Sequence, residues 1–240
     1  MNINISIEAR MTSSRLPGKV LMPICGIPTL ELMIKRIQKA KLVDNIIVAT
    51  TINQQDDEIV SWCEKHNIDY FRGSENNVYD RVLKTHQKFN TNIIVELTGD
   101  CPLLDPQLID EAIQKFKDNE YDYITTGADY PLGMAVQVYT LDTLKSVSIN
   151  RELEYQDREH VTPYLYTSGK YNIYNFKAPK NHTCDKLSVT LDTQEDFEVI
   201  ENVCKNFDTI YFTLEDIVLF AKENPKKVNM NHNTHRKGLS

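Results

Sequence analysis

The sequence predicts an α/β fold built on a largely parallel sheet with helices against its faces. Short β-branched apolar runs alternate with amphipathic stretches, and polar clusters follow the ends of several runs, where such sheets bind ligands. With 240 residues and 41% hydrophobic content, the chain is long enough for one sizeable core. Ile3, Ile5 and Ile7 alternate along a first strand. Leu30, Met33, Ile34 and Ile37 recur at helical spacing between Thr29 and Ala40, and Ile46 to Thr50 reads as a buried strand. A second unit repeats the pattern: a helix over Asp56 to His66, a short strand over Asp69 to Phe71, a helix over Val78 to Phe89 and a strand over Asn92 to Leu97. Pro106 sits where a further helix begins, with Leu108, Ile109, Ala112, Ile113 and Phe116 as its apolar face. Gly133 to Tyr139 alternates like a strand, Arg158 to Tyr164 opens a helix, and Leu187 to Leu191 alternates toward Asp192. No low-complexity linker or long-period repeat interrupts this order. One domain over residues 1–223 is therefore expected, followed by a polar tail over 224–240.

Composition excludes several classes. No apolar run reaches the ~18 residues of a membrane span, and the N-terminus lacks the pattern of a signal peptide, so a cytoplasmic protein is expected, without a membrane partner. A formal charge of −7 argues against nucleic-acid binding, which needs an extended basic surface. Five cysteines, an odd number without any C-x-x-C, fit neither a disulfide framework nor a zinc site. His182, His232 and His235 lack metal-ligand spacing.

Against that acidic background, Ala9 to Lys19 gathers Arg10, Arg15 and Lys19 with Thr12, Ser13 and Ser14, and no Asp or Glu lies between Glu8 and Glu31. The local potential is positive where the global one is negative, which suits a polyanion. Two guanidinium groups, an ammonium, hydroxyls and loop N–H groups are what phosphates require, and Pro17-Gly18 supplies a turn. The spacing is not that of a Walker A loop. A solvated basic loop is the competing reading for any one of these cations.

The pattern A-R-x-x-S-x-R-L-P-G-K after a first strand resembles the signature loop of the cytidylyltransferases that activate sugar acids, in particular the spore-coat polysaccharide branch. The resemblance runs from Ile3 to about Asn206. It implies a Rossmann-like nucleotide-diphospho-sugar transferase fold with a mostly parallel mixed sheet, CTP as substrate, and a catalytic set of Arg15, Lys19 and Asp100. Ala9, Arg10 and Ser13 belong to the implied nucleotide site. Thr50 and the Arg72-Gly73-Ser74 and Asp80-Arg81 segments resemble strand-end loops that hold base and ribose; taken alone they read equally as a turn and a helical surface pair.

Thr98-Gly99-Asp100-Cys101-Pro102-Leu103 matches the family motif G-D-x-P-L. A carboxylate just after a buried strand is well placed for a divalent cation riding on phosphates, so Thr98 and Asp100 join the nucleotide set. Asp105 reads as the cap of the next helix. The segment L-D-T-x-E-D puts Asp192 at the family's second metal aspartate, with Thr193 as a helix cap. Asp100 and Asp192 are thus the expected Mg2+ ligands. Residues of about 127–180 correspond to the acceptor and dimer region, so a homodimer is implied. There Gln137, Arg158 and His160 are the acceptor candidates. Gln137 stands where the family leads one to expect an acid, and His160 serves equally well as a structural histidine.

The expected reaction is transfer of CMP from CTP to an acceptor, a sugar acid by resemblance, with release of pyrophosphate and no obvious side-chain general base. Another nucleotide, a phosphorylated acceptor, a nucleotide-sugar-dependent glycosyltransferase and a catalytically idle regulator are the alternatives. No D-x-D motif lies beside Asp100, which weighs against the glycosyltransferase.

Overall fold

The computed structural model describes residues 1–127, 129–149, 151–184, 187–232 and 234. In chain order come β1 (Ile3–Glu8), a short ladder of β2 (Pro23–Ile24) and β3 (Ile27–Pro28), α1 (Thr29–Ile37), β4 (Asn45–Thr51), α2 (Asp57–His66), β5 (Asp69–Gly73), α3 (Val78–Lys88), β6 (Ile93–Thr98) and α4 (Pro106–Lys117). The second half adds β7 (Tyr123–Thr126), β8 (Gln137–Thr140), α5 (Leu141–Val147), α6 (Tyr155–His160), α7 (Pro163–Thr167), β9 (Ile173–Phe176), α8 (Gln194–Cys204), α9 (Leu214–Glu223) and α10 (Pro225–Val228).

Among the described residues the main sheet has the order β5-β4-β1-β6-β8-β7-β9. Its first four strands are parallel, β8 runs antiparallel to both of its neighbours, and β9 is parallel to β7. This is the mostly parallel mixed sheet that the periodicity and the resemblance predict.

Both faces of the sheet are covered, which explains the apolar character of its central strands. Ile3, Ile5 and Ile7 belong to the larger core, with Leu30, Met33 and Ile37 of α1, Ile109 and Ile113 of α4, Ile200 of α8 and Ile217 of α9. The opposite face carries a second core, with Tyr79 and Val82 of α3, Ile94 of β6, Tyr139 of β8, and Leu144 and Val147 of α5. Side chains alternate along a strand, so the positions of β1 between its isoleucines, Asn4, Ser6 and Glu8, turn toward this second side. From β1 the chain winds outward through β4 to β5, then returns to place β6 on the other side of β1. That reversal is the switch point at which the strand ends open a crevice.

Three expectations need correcting. Gly133 to Val136 lies outside β8, which begins only at Gln137. Arg158 to Tyr164 does not open a helix: it spans the end of α6 and the start of α7, divided by Val161 at φ +63°. Among the described residues, Leu187 to Asp192 joins no strand of the main sheet; one isolated bridge, Leu132 to Ser188, holds it alongside the loop before β8. The polar segment from Asn224 is also ordered in its first part. α10 and the turn after it bring Asn231 into the interior, where its Nδ2 donates to Ser188 O (3.1 Å) and Asp196 Oδ1 (2.7 Å). His235 lies outside the described residues.

Candidate active site

At the switch point, β1 runs into the basic loop and β6 into Thr98-Gly99-Asp100. The two turns touch: Gly99 N donates to Glu8 O at 2.9 Å, and a Cβ on Gly99 would stand 2.9 Å from that same oxygen. Only glycine permits this approach. The basic loop folds back on itself, with Gly18 N and Ser13 N both donating to Met11 O (2.9 and 3.0 Å). Gly18 has φ +72°, the left-handed conformation that the turn after Pro17 requires.

Lys19, turned inward by this loop, is nearly buried. Its Nζ lies 2.9 Å from Asp100 Oδ2 and 2.9 Å from Asp192 Oδ1, and Arg15 Nη2 lies 3.0 Å from the same Asp192 oxygen. Burial works against the charged form of Lys19, but the two carboxylates outweigh it and hold Lys19 above its ordinary value. Burial likewise opposes ionisation of Asp100, and Lys19 outweighs it, holding the carboxyl below its ordinary value. Two cations and two anions thus form a locally neutral cluster.

Asp192 is held from its own backbone. Thr193 and Asp196 form a capping box at the start of α8, and Asp196 Oδ2 also accepts from Asp192 N at 3.0 Å. Because Asn231 binds the other oxygen of Asp196, the end of the described chain fixes the turn that presents Asp192. Asp105 caps α4 as expected, accepting from Gln107 N, and also accepts from Leu214 N.

An open cavity of about 910 Å3 lies over this cluster. Of the residues predicted from sequence, Ala9, Arg10, Ser13, Arg15, Lys19 and Arg81 line it from one side. Thr98, Asp100, Gln137, Arg158, His160 and Asp192 line it as well. Five others, Thr50, Arg72, Gly73, Ser74 and Asp80, fall outside the lining. Thr50 is fully buried within β4. Arg72 is spent on Thr51 O, Asn53 O and the Asp57 carboxylate. Gly73 lets α3 approach, since a Cβ there would meet Arg81 Cγ at 2.8 Å. Ser74 O accepts from Arg81 Nη1 at 2.6 Å, and Asp80 pairs with Lys84 on the surface of α3.

A family model described as cytidylyltransferase matches residues 5–231, nearly the whole chain. The chain belongs to the cytidylyltransferase family. Its activity is therefore CTP-dependent cytidylyl transfer. This cytidylyltransferase is 36% identical to the spore coat polysaccharide biosynthesis protein SpsF of Bacillus subtilis, over 81% of its own length and 83% of that protein. It is 35% identical to a 3-deoxy-manno-octulosonate cytidylyltransferase of Geobacter sulfurreducens, over 50% of its length and 47% of that enzyme. Among solved structures, a cytidylyltransferase from Leptospira borgpetersenii superposes with a TM-score of 0.89 at 30% identity, covering 99% of this chain and 100% of that one.

The cytidylyltransferase site also contains acids that the motifs do not announce. Asp56, fully buried, accepts from Met11 N (2.7 Å) and from the Thr51 hydroxyl, and so pins the phosphate loop to the end of β4. Glu75 accepts from Thr12 (2.5 Å), Arg10 (3.3 Å) and Asn53 (2.6 Å). The Thr12 hydroxyl, with Asn53 and Arg10, holds Glu75 below the usual carboxylate range. Glu8 and Glu96 line the cavity from the ends of β1 and β6. A glutamate within the apolar run Asn92 to Leu97 is the signal that could have found Glu96.

Proposed function

We propose that this cytidylyltransferase transfers CMP from CTP to a sugar acid, releasing pyrophosphate, in the synthesis of a surface polysaccharide or glycoconjugate. The observation that carries the reading is the convergence of Arg15 and Lys19 with Asp100 and Asp192 on one wall of a nucleotide-sized cavity. The names of two relatives, a spore coat polysaccharide biosynthesis protein and a 3-deoxy-manno-octulosonate cytidylyltransferase, support a sugar acid as acceptor.

An acceptor oxygen attacks the α-phosphorus of CTP in line, forming the new P–O bond as the bond to pyrophosphate breaks. Arg15 and Lys19 shift from the two aspartates onto the phosphates and offset the charge that grows on the leaving group. Ser13, Arg10 and the loop N–H groups position the phosphate chain, and Arg158 and His160 face the acceptor's carboxylate across the cavity. Magnesium fits the aspartate pair, because two hard oxygen donors already converge within 2.9 Å of one cation, Lys19 Nζ. Among the described residues no group of three or more His, Cys, Asp or Glu gathers, so Asp100 and Asp192 would share the ion with phosphate and water, the usual arrangement for magnesium. Bound there it would act as a Lewis acid on the α-phosphate.

We also infer a homodimer through the region of about 127–180 and a cytoplasmic setting. Among the described residues no helix is long and apolar enough to cross a membrane. Light scattering checks the dimer.

Calorimetry of CTP, UTP, GTP and ATP with magnesium, with K19A as control, tests the nucleotide. Selective CTP binding that the variant loses is expected. Preference for another nucleotide would overturn the reading.

A further inference from the structure

Glu8 and Glu96 are not part of the phosphate cluster, yet both face the cavity. Ser6 pairs with Glu96 across β1 and β6, and Glu8 follows Ser6 on the same face, so the two carboxyls share one side of the sheet. Glu96 is 3% exposed. Its Oε2 accepts from the Tyr139 hydroxyl, and Glu8 Oε1 accepts from the Ser6 hydroxyl at 3.1 Å. Among the described residues neither carboxyl forms an ion pair within 4.0 Å. Arg81 is the cation nearest in influence to Glu8, but its Nη1 is committed to Ser74 O. Gln137, directly across β8 from Glu96, is neutral, and its Oε1 is taken by Tyr123 and Thr162, each at 2.6 Å.

Two under-compensated carboxyls in a buried wall are costly when ionised. Burial, together with their mutual repulsion in the case of Glu8, holds both above the usual carboxylate range, Glu96 at about 8. A ligand carboxylate or phosphate placed here would face two carboxyls with no cation within 4.0 Å of either, so the acceptor's own acid group belongs on the Arg158 and His160 side. Arg81 lines the same cavity and its charge favours ionised Glu8, but among the described residues no cation stands within ion-pair distance of either carboxyl. Glu96 is two residues from the end of β6, ~7 Å along the strand, so a group bound there lies within one sugar's reach of the reaction centre.

We propose that Glu8 and Glu96 form a subsite for a protonated amine, making the acceptor a sugar acid that bears a primary amine away from its reacting carbon. The proposal rests on the cytidylyl-transfer reading and deepens it. An ammonium would donate to both carboxyls, draw them into the ionised form and convert a buried liability into selectivity, since a hydroxyl at the same place cannot supply the charge.

The test is pyrophosphate release with saturating CTP and a panel of 3-deoxy-2-ulosonic acids. Each parent is paired with forms in which one hydroxyl at a non-reacting carbon is replaced by a primary amine. One amine-bearing member should exceed its parent by roughly tenfold or more in kcat/KM, and E96Q should reduce that ratio to about twofold. A purely structural Glu96 would leave the ratio unchanged. Parents used as well as their amines, a ratio that survives in E96Q, or no turnover of any member would each overturn the proposal. CTP calorimetry on the same samples keeps the two readings apart: selective CTP binding alongside such a result leaves the cytidylyl reading standing and removes the amine subsite.

Discussion

Lys19 Nζ stands 2.9 Å from Asp192 Oδ1, a contact between residues 173 positions apart that joins the first βα turn to the start of α8. Lys19 is the hub of the charge cluster, so K19A should weaken CTP binding by about a hundredfold in a calorimetric titration, as expected when a buried charged partner is lost. D100N should lower turnover by on the order of a hundredfold with far less effect on folding, because the amide keeps the shape and loses the charge. Near-normal turnover in D100N would remove Asp100 from the reaction.

Stability should fall as pH rises through the range set by Glu96. Burial raises its pKa from the ordinary carboxylate range to about 8, so between these values the folded state holds a proton that the unfolded chain has released. The unfolded state then binds fewer protons, and the free energy of unfolding decreases with pH across that window. Urea melts at pH 5 and pH 8 should differ by on the order of 1–3 kcal/mol in the wild type and by less in E96Q. A wild-type slope no steeper than that of the variant would contradict the assignment.

Gln137 is the place to test like-charge crowding. Q137E preserves the acceptor oxygen for Tyr123 and Thr162 but sets a third carboxyl opposite Glu96. The expected cost is about 1–3 kcal/mol at pH 8 and clearly less at pH 5, where the carboxyls are protonated. Chemical denaturation at the two pH values decides it; an equal cost at both would point to packing instead of charge.

Asp56 links the loop to the sheet, and D56A leaves Met11 N and the Thr51 hydroxyl without their acceptor. About 2–4 kcal/mol of stability should go, together with part of the CTP affinity. D56N should retain more of both than D56A, since its amide oxygen still accepts from Met11 N; if D56A binds CTP like the wild type, the loop does not depend on this anchor.

Much of the architecture was legible because it follows from local pattern. The isoleucine alternation of β1, the apolar faces of α1 and α4, and the charge of the Ala9 to Lys19 loop are all properties of contiguous residues. The loop and the two aspartates were likewise visible as motifs. What escaped was set by tertiary partners. Gly73 reads as a turn glycine, yet its role is the close packing of Arg81. Arg72 reads as a strand-end cation, and only the fold shows it donating to the carbonyls of Thr51 and Asn53. Gln137 looked like a missing acid, but the carboxyl stands on its neighbour across the ladder, Glu96, instead. None of these relationships has a spacing that one strand of text could display.

The clasp of Asn231 on Asp196 orders events during synthesis. The cations of the phosphate loop leave the ribosome first, Asp100 follows with the end of β6, and Asp192 comes much later. Its turn is secured only when Asn231 has emerged as well. A nascent chain can pair its early parallel strands in sequence, but the charge balance over the crevice waits on a contact between segments far apart in the chain.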